Sequence, residues 1–281
     1  DAKFPPATWV SRAARASDVV FQRRGAIVWS FPGAGNTWCR MLIEQATGFL
    51  TGSVYNDPAL RSIFIGEGRK NSNVIAIKAH PNVAGWDASK LLQSFQPKVP
   101  LMLIVRDPFK CMWSEGQRRM SRRRKQITRE AGSVHTMQVT KKQLLNKENW
   151  VRWLALVIKL AEDYTKMWTS YETVIAAGSD YIFIPFERLT DPAQQGQTLH
   201  EMIAFLGSGF PAGREACAFV TSEHDKIRRK SPIASPELTN PSATFADAFP
   251  RELACQAWAA LLPGKAVALR LGFEWTYAPP H

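Results

Sequence analysis

The sequence is short of cysteine, of acidic residues and of long apolar runs, and each shortage narrows what the chain can be. The 281 residues include 4 cysteines without any C-x-x-C pair, Cys39, Cys111, Cys217 and Cys255, so their spacing gives no zinc or redox signature. No apolar run reaches the roughly 18 residues of a membrane-spanning helix, and nothing at the start resembles a signal peptide, so we expect a soluble chain. The 24 acidic residues face 36 Lys and Arg, and the net charge of +12 favours anionic partners such as nucleotides, acidic glycans, nucleic acid or membrane surfaces.

The lysine of the common triphosphatase loop is also missing. A buried-strand pattern at 26–31 runs into a glycine loop at 30–37, and a helix pattern at 37–47 follows and is closed by Gly48. Glycines let backbone N–H groups turn inward, and the first helical turn adds unpaired N–H groups and the positive end of the helix dipole. Gly35 is followed by Asn36 and Thr37 and not by Lys-Ser/Thr. The pattern therefore predicts a phosphate loop of another kind, which holds an anion without a lysine.

Short apolar stretches alternate with helical patterns along the rest of the chain. The stretches lie at 26–31, 74–77, 101–105 and 181–186, and the helical patterns at 37–47, 108–119, 148–171, 195–206 and 250–261. This alternation predicts an α/β fold with a central parallel sheet flanked by helices, in one domain over 1–281. The basic segment 118–147 is interpreted as a loop or mobile insertion, and the Pro- and Ser-rich segment 231–244 as a second loop.

Three short polar motifs could carry chemistry next to the loop. Lys78 and His80 follow the 74–77 stretch, and His80 could take a proton from a hydroxyl while Lys78 balances negative charge, although a lone His is more often structural. Arg106 ends the 101–105 stretch and Ser114 follows eight residues later, so both could donate to one phosphate. The alternative is a surface Arg–Asp pair and a solvated Ser. The third motif is a basic cluster that is suited to phosphate or is only a solvated face, Arg228, Arg229 and Lys230.

The order of these motifs resembles that of the sulfotransferases that use 3′-phosphoadenosine-5′-phosphosulfate. Residues 30–38, Ser-Phe-Pro-Gly-Ala-Gly-Asn-Thr-Trp, are similar to the family's 5′-phosphosulfate loop. Residues 186–192 are similar to its Tyr-Glu-x-Leu…Asp-Pro segment, and residues 271–273 to its Leu-Gly-Tyr. With Arg40 and residues 44–48, the loop looks most like the WSC-domain-associated branch. The resemblance implies a P-loop-like fold and an O-sulfotransferase that needs no metal.

The resemblance also implies a role for each matching position. His80 would be the catalytic base, with Lys78 beside the sulfuryl group. The donor would be held by Gly33, Ala34, Gly35, Asn36 and Thr37 at the phosphosulfate, by Trp38 at the adenine, and by Arg106, Ser114, Arg228, Arg229 and Lys230 at the 3′-phosphate. One position departs from the pattern, because the loop lysine of the cytosolic enzymes is Gly33 here. Lys78, backbone amides or Arg40 would have to cover the bridging oxygen.

The acceptor is predicted to be a hydroxyl on a carbohydrate or glycoconjugate. The arginines of 118–129 could meet an acidic glycan, or they could belong to a solvated loop. Tryptophans could line a sugar or lipid site, among them Trp113, Trp150, Trp153 and Trp168, although the helical spacing of Trp150 and Trp153 favours the core. A small-molecule or lipid alcohol is the alternative acceptor.

Three other classes of protein are the alternatives for this sequence. A basic nucleic-acid-binding protein would explain the charge but not the Lys78/His80 and Arg106/Ser114 pairs, so no nucleic acid is expected. A P-loop kinase or triphosphatase is disfavoured because this chain lacks the Gly-Lys-Ser/Thr motif of those enzymes. An inactive sulfotransferase relative is a further alternative, because Gly33 replaces the loop lysine. Because the sequence opens at Asp1 and not at Met, the expectation is a trimmed type II membrane protein of the Golgi lumen, with the cytoplasm as the alternative.

Overall fold

The structure is a computed structural model. It describes residues 25–71, 73–95, 99–128, 147–208, 210, 213–215, 218–219, 251–277 and 279, with the backbone alone at 117, 120–128 and 147–151. The predicted basic cluster of Arg228, Arg229 and Lys230, the predicted loop at 231–244, and Cys217 lie outside the described residues.

A five-stranded parallel sheet forms the centre of the fold. Its strands are β1 (Ala26–Ser30), β2 (Thr51–Ser53), β3 (Ala76–Ala79), β4 (Leu101–Val105) and β5 (Tyr181–Pro185), in the order β2-β3-β1-β4-β5. All four strand pairings are parallel. The predicted α/β fold with a parallel sheet flanked by helices is confirmed. Strand β2 had no apolar run to reveal it, because its Thr51 and Ser53 side chains are buried by hydrogen bonding and not by apolar packing.

Eight helices of the described residues accompany the sheet. They are α1 (Asn36–Thr47), α2 (Pro58–Arg61), α3 (Ala88–Ser94), α4 (Pro108–Thr128), α5 (Lys147–Ala176), α6 (Phe186–Thr190), α7 (Gln195–Leu206) and α8 (Arg251–Arg270). Helix α8 continues through Pro263, where the sequence pattern had predicted an end, and it packs so closely on α5 that a Cβ on Gly264 would lie 3.0 Å from Thr165 Cα. No helix among the described residues is long and apolar enough to cross a membrane.

The predicted loop over 118–147 is wrong for its first part, because α4 runs on to Thr128. The first two arginines of the basic segment, Arg118 and Arg119, bond to a buried acidic residue on the same helix. Glu115 is 1% exposed and accepts a two-pronged hydrogen bond from Arg118 and a further bond of 2.8 Å from Arg119 Nε. Pairs of opposite charge three and four residues apart stabilise a helix, so the pairing of Arg118 and Arg119 with Glu115 favours the helix at this point.

The core consists mainly of the sheet and the aromatic side chains packed on it. Trp153 and Trp168 are fully buried there, so they do not line a sugar or lipid site. Trp168 packs against Tyr171 and Phe273, and Tyr171 donates a hydrogen bond of 3.1 Å to the Trp29 carbonyl. Cys39 and Cys111 are buried free thiols, and Cys255 is an exposed one. This aromatic core therefore packs against β1 and bonds to its backbone at Trp29.

Candidate active site

The glycine loop follows β1, the central strand, and two of its glycines are required by their geometry. Gly33 has φ 88° and Gly35 has φ 94°, in the left-handed region that side chains disfavour. A Cβ on Gly35 would lie 2.0 Å from the Phe186 ring, and one on Gly33 would lie 3.2 Å from Ser114 Cβ. The backbone of this loop is therefore packed directly against the elements that follow β4 and β5. Ala34 between the two glycines is buried.

Helix α1 begins at the end of this loop with its amide groups directed at it. Gly35 is the N-cap and brings no side chain, and the first turn holds no acidic residue. Asn36 is 4% exposed, and its Nδ2 donates to Val28 O and to Ser30 Oγ, both at 3.0 Å. The Asn36 side chain thus ties the helix to β1, while its backbone N–H remains available at the loop with that of Thr37. The helix dipole and these amides favour an anion at this point.

His80 directly follows β3, the strand that pairs with β1, and a backbone carbonyl fixes the orientation of its imidazole. Nδ1 lies 2.7 Å from Ser30 O. Since a carbonyl oxygen only accepts, Nδ1 carries the proton and Nε2 of the neutral ring is an acceptor. Burial and the charge of Lys78 lower the pKa of His80 to about 3, so the ring is neutral at physiological pH. This is the tautomer that a general base needs.

Lys78 lies inside β3 and not after it, which corrects the predicted strand end. It pairs in register with Val28 of β1 and is 9% exposed. Residues two apart on a strand point to the same face, so Lys78 and His80 share one side of the sheet. Burial, and next the charge of Arg40, lower the pKa of Lys78 to about 8. The ammonium group therefore keeps its charge at neutral pH with little margin.

Arg106, after β4, bonds to the glycine loop itself. Its Nη1 donates to Gly33 O at 2.7 Å, and its guanidinium carbon lies 4.7 Å from the Phe186 ring centroid. The Arg106 carbonyl accepts a 2.7 Å bond from the Tyr164 hydroxyl. Ser114, two turns into α4, lies against Gly33. The structure therefore brings both predicted 3′-phosphate residues to one place beside the loop.

The alternative of a surface Arg–Asp pair is not what the structure shows at this turn. Asp107 instead caps α4, where its Oδ1 accepts bonds of 2.8 Å from Phe109 N and 3.3 Å from Lys110 N. The Asp107 N–H in turn donates to Glu187 Oε1 at 3.0 Å. These bonds join the turn after β4 to the turn after β5, and they hold the backbone from which the Arg106 side chain extends.

Trp38, the residue predicted to lie against the adenine, belongs to an aromatic group. It is half-buried, and its ring lies edge-on to Phe186 with centroids 5.6 Å apart. Phe219 contacts it from a second side at 6.1 Å. Phe186 thus touches Trp38, Gly35 and Arg106 together, although it was not among the predicted site residues. Its position at the end of β5, within the segment that resembles the sulfotransferase motif, was the signal that could have identified it.

Arg40 does not turn back to the loop, so its predicted alternative role at the bridging oxygen is wrong. It is fully buried and forms an ion pair of 2.7 Å with Glu67, whose side chain is 1% exposed. Its Nε donates to Thr51 Oγ1 at 2.9 Å, and its guanidinium lies 3.8 Å from the Phe64 ring centroid. All of these partners lie on the β2 side of α1. Arg40 is a structural cation that joins α1 to β2.

Tyr55, which sequence reasoning missed, completes the group around His80. Its hydroxyl accepts a 3.0 Å bond from the His80 N–H, and its ring stacks on the imidazole. No pattern distinguished it, because it lies two residues after the short strand β2. Among the described residues, no group of His, Cys, Asp and Glu is arranged to hold a metal ion.

Fold and site together define a class: an α/β protein with a lysine-free glycine loop at a helix start after its central parallel strand and a neutral histidine beside it. No protein-family profile matches the chain. Over 90 residues, 32% of its length, the chain is 44% identical to WSCD family member AAEL009094 of Aedes aegypti. It is 43% identical to WSCD family member GA21586 of Drosophila pseudoobscura pseudoobscura and 42% identical to WSCD family member CG9164 of Drosophila melanogaster. Each match spans 26% of the relative, so the chain is a partial homologue of this family.

Proposed function

We propose that the chain is an O-sulfotransferase that moves a sulfuryl group from 3′-phosphoadenosine-5′-phosphosulfate to an acceptor hydroxyl on a carbohydrate or glycoconjugate. The observation that carries this proposal is the 2.7 Å bond from His80 Nδ1 to Ser30 O. It leaves Nε2 as a base at the carboxyl edge of the sheet, beside a loop that binds anions without a lysine. The partial homology to the WSCD family and the sulfotransferase-like order of motifs support the same assignment.

The residues present fit such a donor. The loop backbone is closely packed, since a Cβ at Gly33 or Gly35 would lie within 3.0 Å of neighbouring protein atoms, and the helix start brings no competing carboxylate. The buried Arg106 Nε has no hydrogen-bond partner among the described residues, and Nη1 is used by Gly33 O. The Nη2 end of Arg106 and the Ser114 hydroxyl would hold the 3′-phosphate. Trp38 would lie against the adenine.

The proposed chemistry divides into a proton transfer and a displacement. His80 Nε2 accepts the proton of the acceptor hydroxyl, whose oxygen bonds to sulfur as the bond from sulfur to the 5′-phosphate oxygen breaks. Adenosine 3′,5′-bisphosphate leaves with the electron pair. The loop amides and Lys78 stabilise the negative charge that spreads over the transferred group and the leaving oxygen. With Arg40 held by Glu67, Lys78 and the backbone amides are the groups proposed for the bridging oxygen that a lysine covers in the cytosolic enzymes.

A transfer assay with labelled donor over a panel of glycans, phenols, lipids and small alcohols tests this function. We expect label on a glycan acceptor; transfer to a lipid or small alcohol alone would replace the acceptor class, and no transfer to any acceptor would refute the enzyme. Calorimetry should show magnesium-independent binding of adenosine 3′,5′-bisphosphate. A response to ATP, or salt-dependent binding of random oligonucleotides without bisphosphate affinity, would instead favour the triphosphatase or the nucleic-acid reading.

Two variants separate catalysis from donor binding. His80→Asn keeps a donor for Ser30 O but removes Nε2, so kcat should fall about 10²–10⁴-fold while bisphosphate affinity stays unchanged. His200→Asn, at a largely exposed histidine, is the matched control. Arg106→Ala should instead weaken bisphosphate binding. Normal turnover in His80→Asn would exclude the base role, and unchanged affinity in Arg106→Ala would exclude the phosphate role.

Residence in the Golgi lumen also stays a prediction.

A further inference from the structure

Tyr55, which follows the short strand β2, contacts His80 at three points, and none of these contacts belongs to the hydrogen bonding of the sheet. The His80 N–H donates to the Tyr55 hydroxyl at 3.0 Å, and that hydroxyl lies 3.3 Å from the His80 carbonyl, to which it donates. The two rings are stacked, with centroids 5.6 Å apart and planes 23° apart. Both backbone polar groups of His80 and one face of its imidazole are therefore held by a single side chain.

The same ring also contacts the second predicted catalytic residue. Lys78 Nζ lies 5.9 Å from the Tyr55 ring centroid, at the edge of the range in which a cation is attracted to an aromatic face. Lys78 and His80 share one side of β3, and the Tyr55 ring lies next to both side chains.

The backbone of Tyr55 is itself clamped. Its N–H donates to Ser53 Oγ at 3.0 Å, and the N–H of Val54 donates to Lys78 O at 3.0 Å. Two residues later, the Asp57 N–H reaches Glu67 Oε1 at 3.5 Å, and Glu67 is paired with the buried Arg40. These bonds connect Tyr55 to β3 on one side and to the Arg40 ion pair on the other, so its ring has little freedom to move away from His80.

We infer that Tyr55 is the positioning residue of the site: its hydroxyl and ring hold the His80 imidazole, and with it Lys78, in the geometry that the transfer needs. This inference rests on the proposed function. Burial raises the pKa of the Tyr55 hydroxyl above its ordinary value, so the group stays protonated at neutral pH and is not itself a base. Its role is to orient the histidine that carries the proton.

The stacked Tyr55 ring also covers one face of the His80 imidazole. The charged groups whose fields act on His80 are Lys78 on β3, Arg40 on α1 and Arg118 on α4, and all three disfavour the imidazolium together with burial. Removing the ring would admit water to the imidazole, so its pKa should rise toward the ordinary value of about 6.5.

Tyr55→Phe and Tyr55→Leu test this role, and Tyr181→Phe, at an exposed tyrosine of β5, is the matched control. Phe keeps the stacking and loses the hydroxyl, so kcat should fall about 10-fold, and Leu loses both, so kcat should fall about 100-fold, the scale of a misplaced reacting group. The affinity for adenosine 3′,5′-bisphosphate should stay unchanged in both. Tyr181→Phe should match the wild type in every measurement.

Nuclear magnetic resonance of ¹⁵N-labelled histidine supplies a measurement that needs no turnover. In the wild type His80 should show the Nδ1–H tautomer and stay neutral to below pH 5, whereas in Tyr55→Leu it should titrate nearer pH 6.5 with mixed tautomers. Wild-type kcat together with a wild-type His80 titration in Tyr55→Leu would overturn the inference. If Tyr55→Leu does not fold, the tautomer and kcat of Tyr55→Phe decide alone. If the wild type shows the expected ¹⁵N chemical shifts of His80 but no transfer activity, the proposed function is refuted, whereas the contact between Tyr55 and His80 is not.

Discussion

The buried Arg40–Glu67 ion pair offers the sharpest test of how this fold is held around its loop. Arg40 is fully buried, its Nη1 lies 2.7 Å from Glu67 Oε2, and two further bonds reach Thr51. Glu44 accepts from the Thr51 N–H at 2.7 Å and from its hydroxyl at 2.6 Å. One cation thus lies near two carboxylates, the buried Glu67 and the partly buried Glu44.

Arg40→Met keeps most of the aliphatic length that packs on Phe64 and removes the charge. Breaking a buried pair by deleting one partner costs about 3–5 kcal/mol, because the remaining charge is left uncompensated. That loss is a large part of the roughly 5–15 kcal/mol by which domains are stable. In Arg40→Met/Glu67→Gln the orphaned carboxylate is gone as well, so we expect at least about 2 kcal/mol of the loss to be recovered.

Urea unfolding of the wild type, both single variants and the double variant gives the coupling free energy. The exposed pair Arg270–Glu172, with side chains 58% and 37% exposed at 2.9 Å, is the matched control and should couple by about 0.2–1 kcal/mol. Burial already raises the pKa of Glu44. The charge of Arg40 opposes that rise, so without it Glu44 should bind a proton still more readily than in the unfolded chain, and the loss should shrink from pH 7.5 to pH 5. A loss below about 1 kcal/mol, or coupling no larger than in the surface pair, would refute this reasoning.

Two further predictions concern the loop and Lys78. Gly35→Ala places a Cβ 2.0 Å from the Phe186 ring, so the affinity for adenosine 3′,5′-bisphosphate, measured by calorimetry, should fall about 10- to 100-fold. Gly85→Ala, also at positive φ but in open space, should leave that affinity unchanged. Equal affinities in both variants would contradict this prediction. Because the pKa of Lys78 is lowered to about 8, transfer should decline as pH rises through 8, and Lys78→Arg should move that decline to higher pH. Between about 8 and 10.5 the unfolded chain binds more protons at Lys78, so this group should make the free energy of unfolding rise with pH. An alkaline limb that does not move in Lys78→Arg would exclude Lys78 as its cause.

The elements with strong apolar patterns were predictable, and those built on polar bonding were not. The predicted bounds of β4 and α7 agree with the structure, and α1 differs by one residue. Strand β2 was missed because Thr51 and Ser53 are buried through hydrogen bonds, which leave no mark on periodicity. The continuation of α4 beyond residue 118 was missed because a run of basic residues was interpreted as a loop, whereas the first two, Arg118 and Arg119, pair with the buried Glu115.

The candidate site divides in the same way. The loop and the residues that end strands could be identified locally, since carboxyl ends of parallel strands share one edge of the sheet. The role of Arg40 could not, because whether a side chain turns to the loop or away from it depends on partners at positions 51 and 67. Tyr55 was likewise out of reach, as its contacts join residues that are distant in the sequence, whereas the position of Phe186 at the end of β5 was a local signal.

The sequence by itself determined the parallel α/β sheet, the lysine-free glycine loop at a helix start, and the placement of His80 and Arg106 after strands, because these follow from local pattern and backbone geometry. Only the tertiary structure decided which groups meet. It placed Ser30 O against His80 Nδ1, which sets the tautomer, and Arg106 against Gly33 O. It also committed Arg40 to a buried acid, so in the proposed donor site the positive charge would come from Lys78, Arg106 and backbone amides. Tautomer, burial and charge pairing are properties of distances between remote residues, and a linear pattern does not contain them.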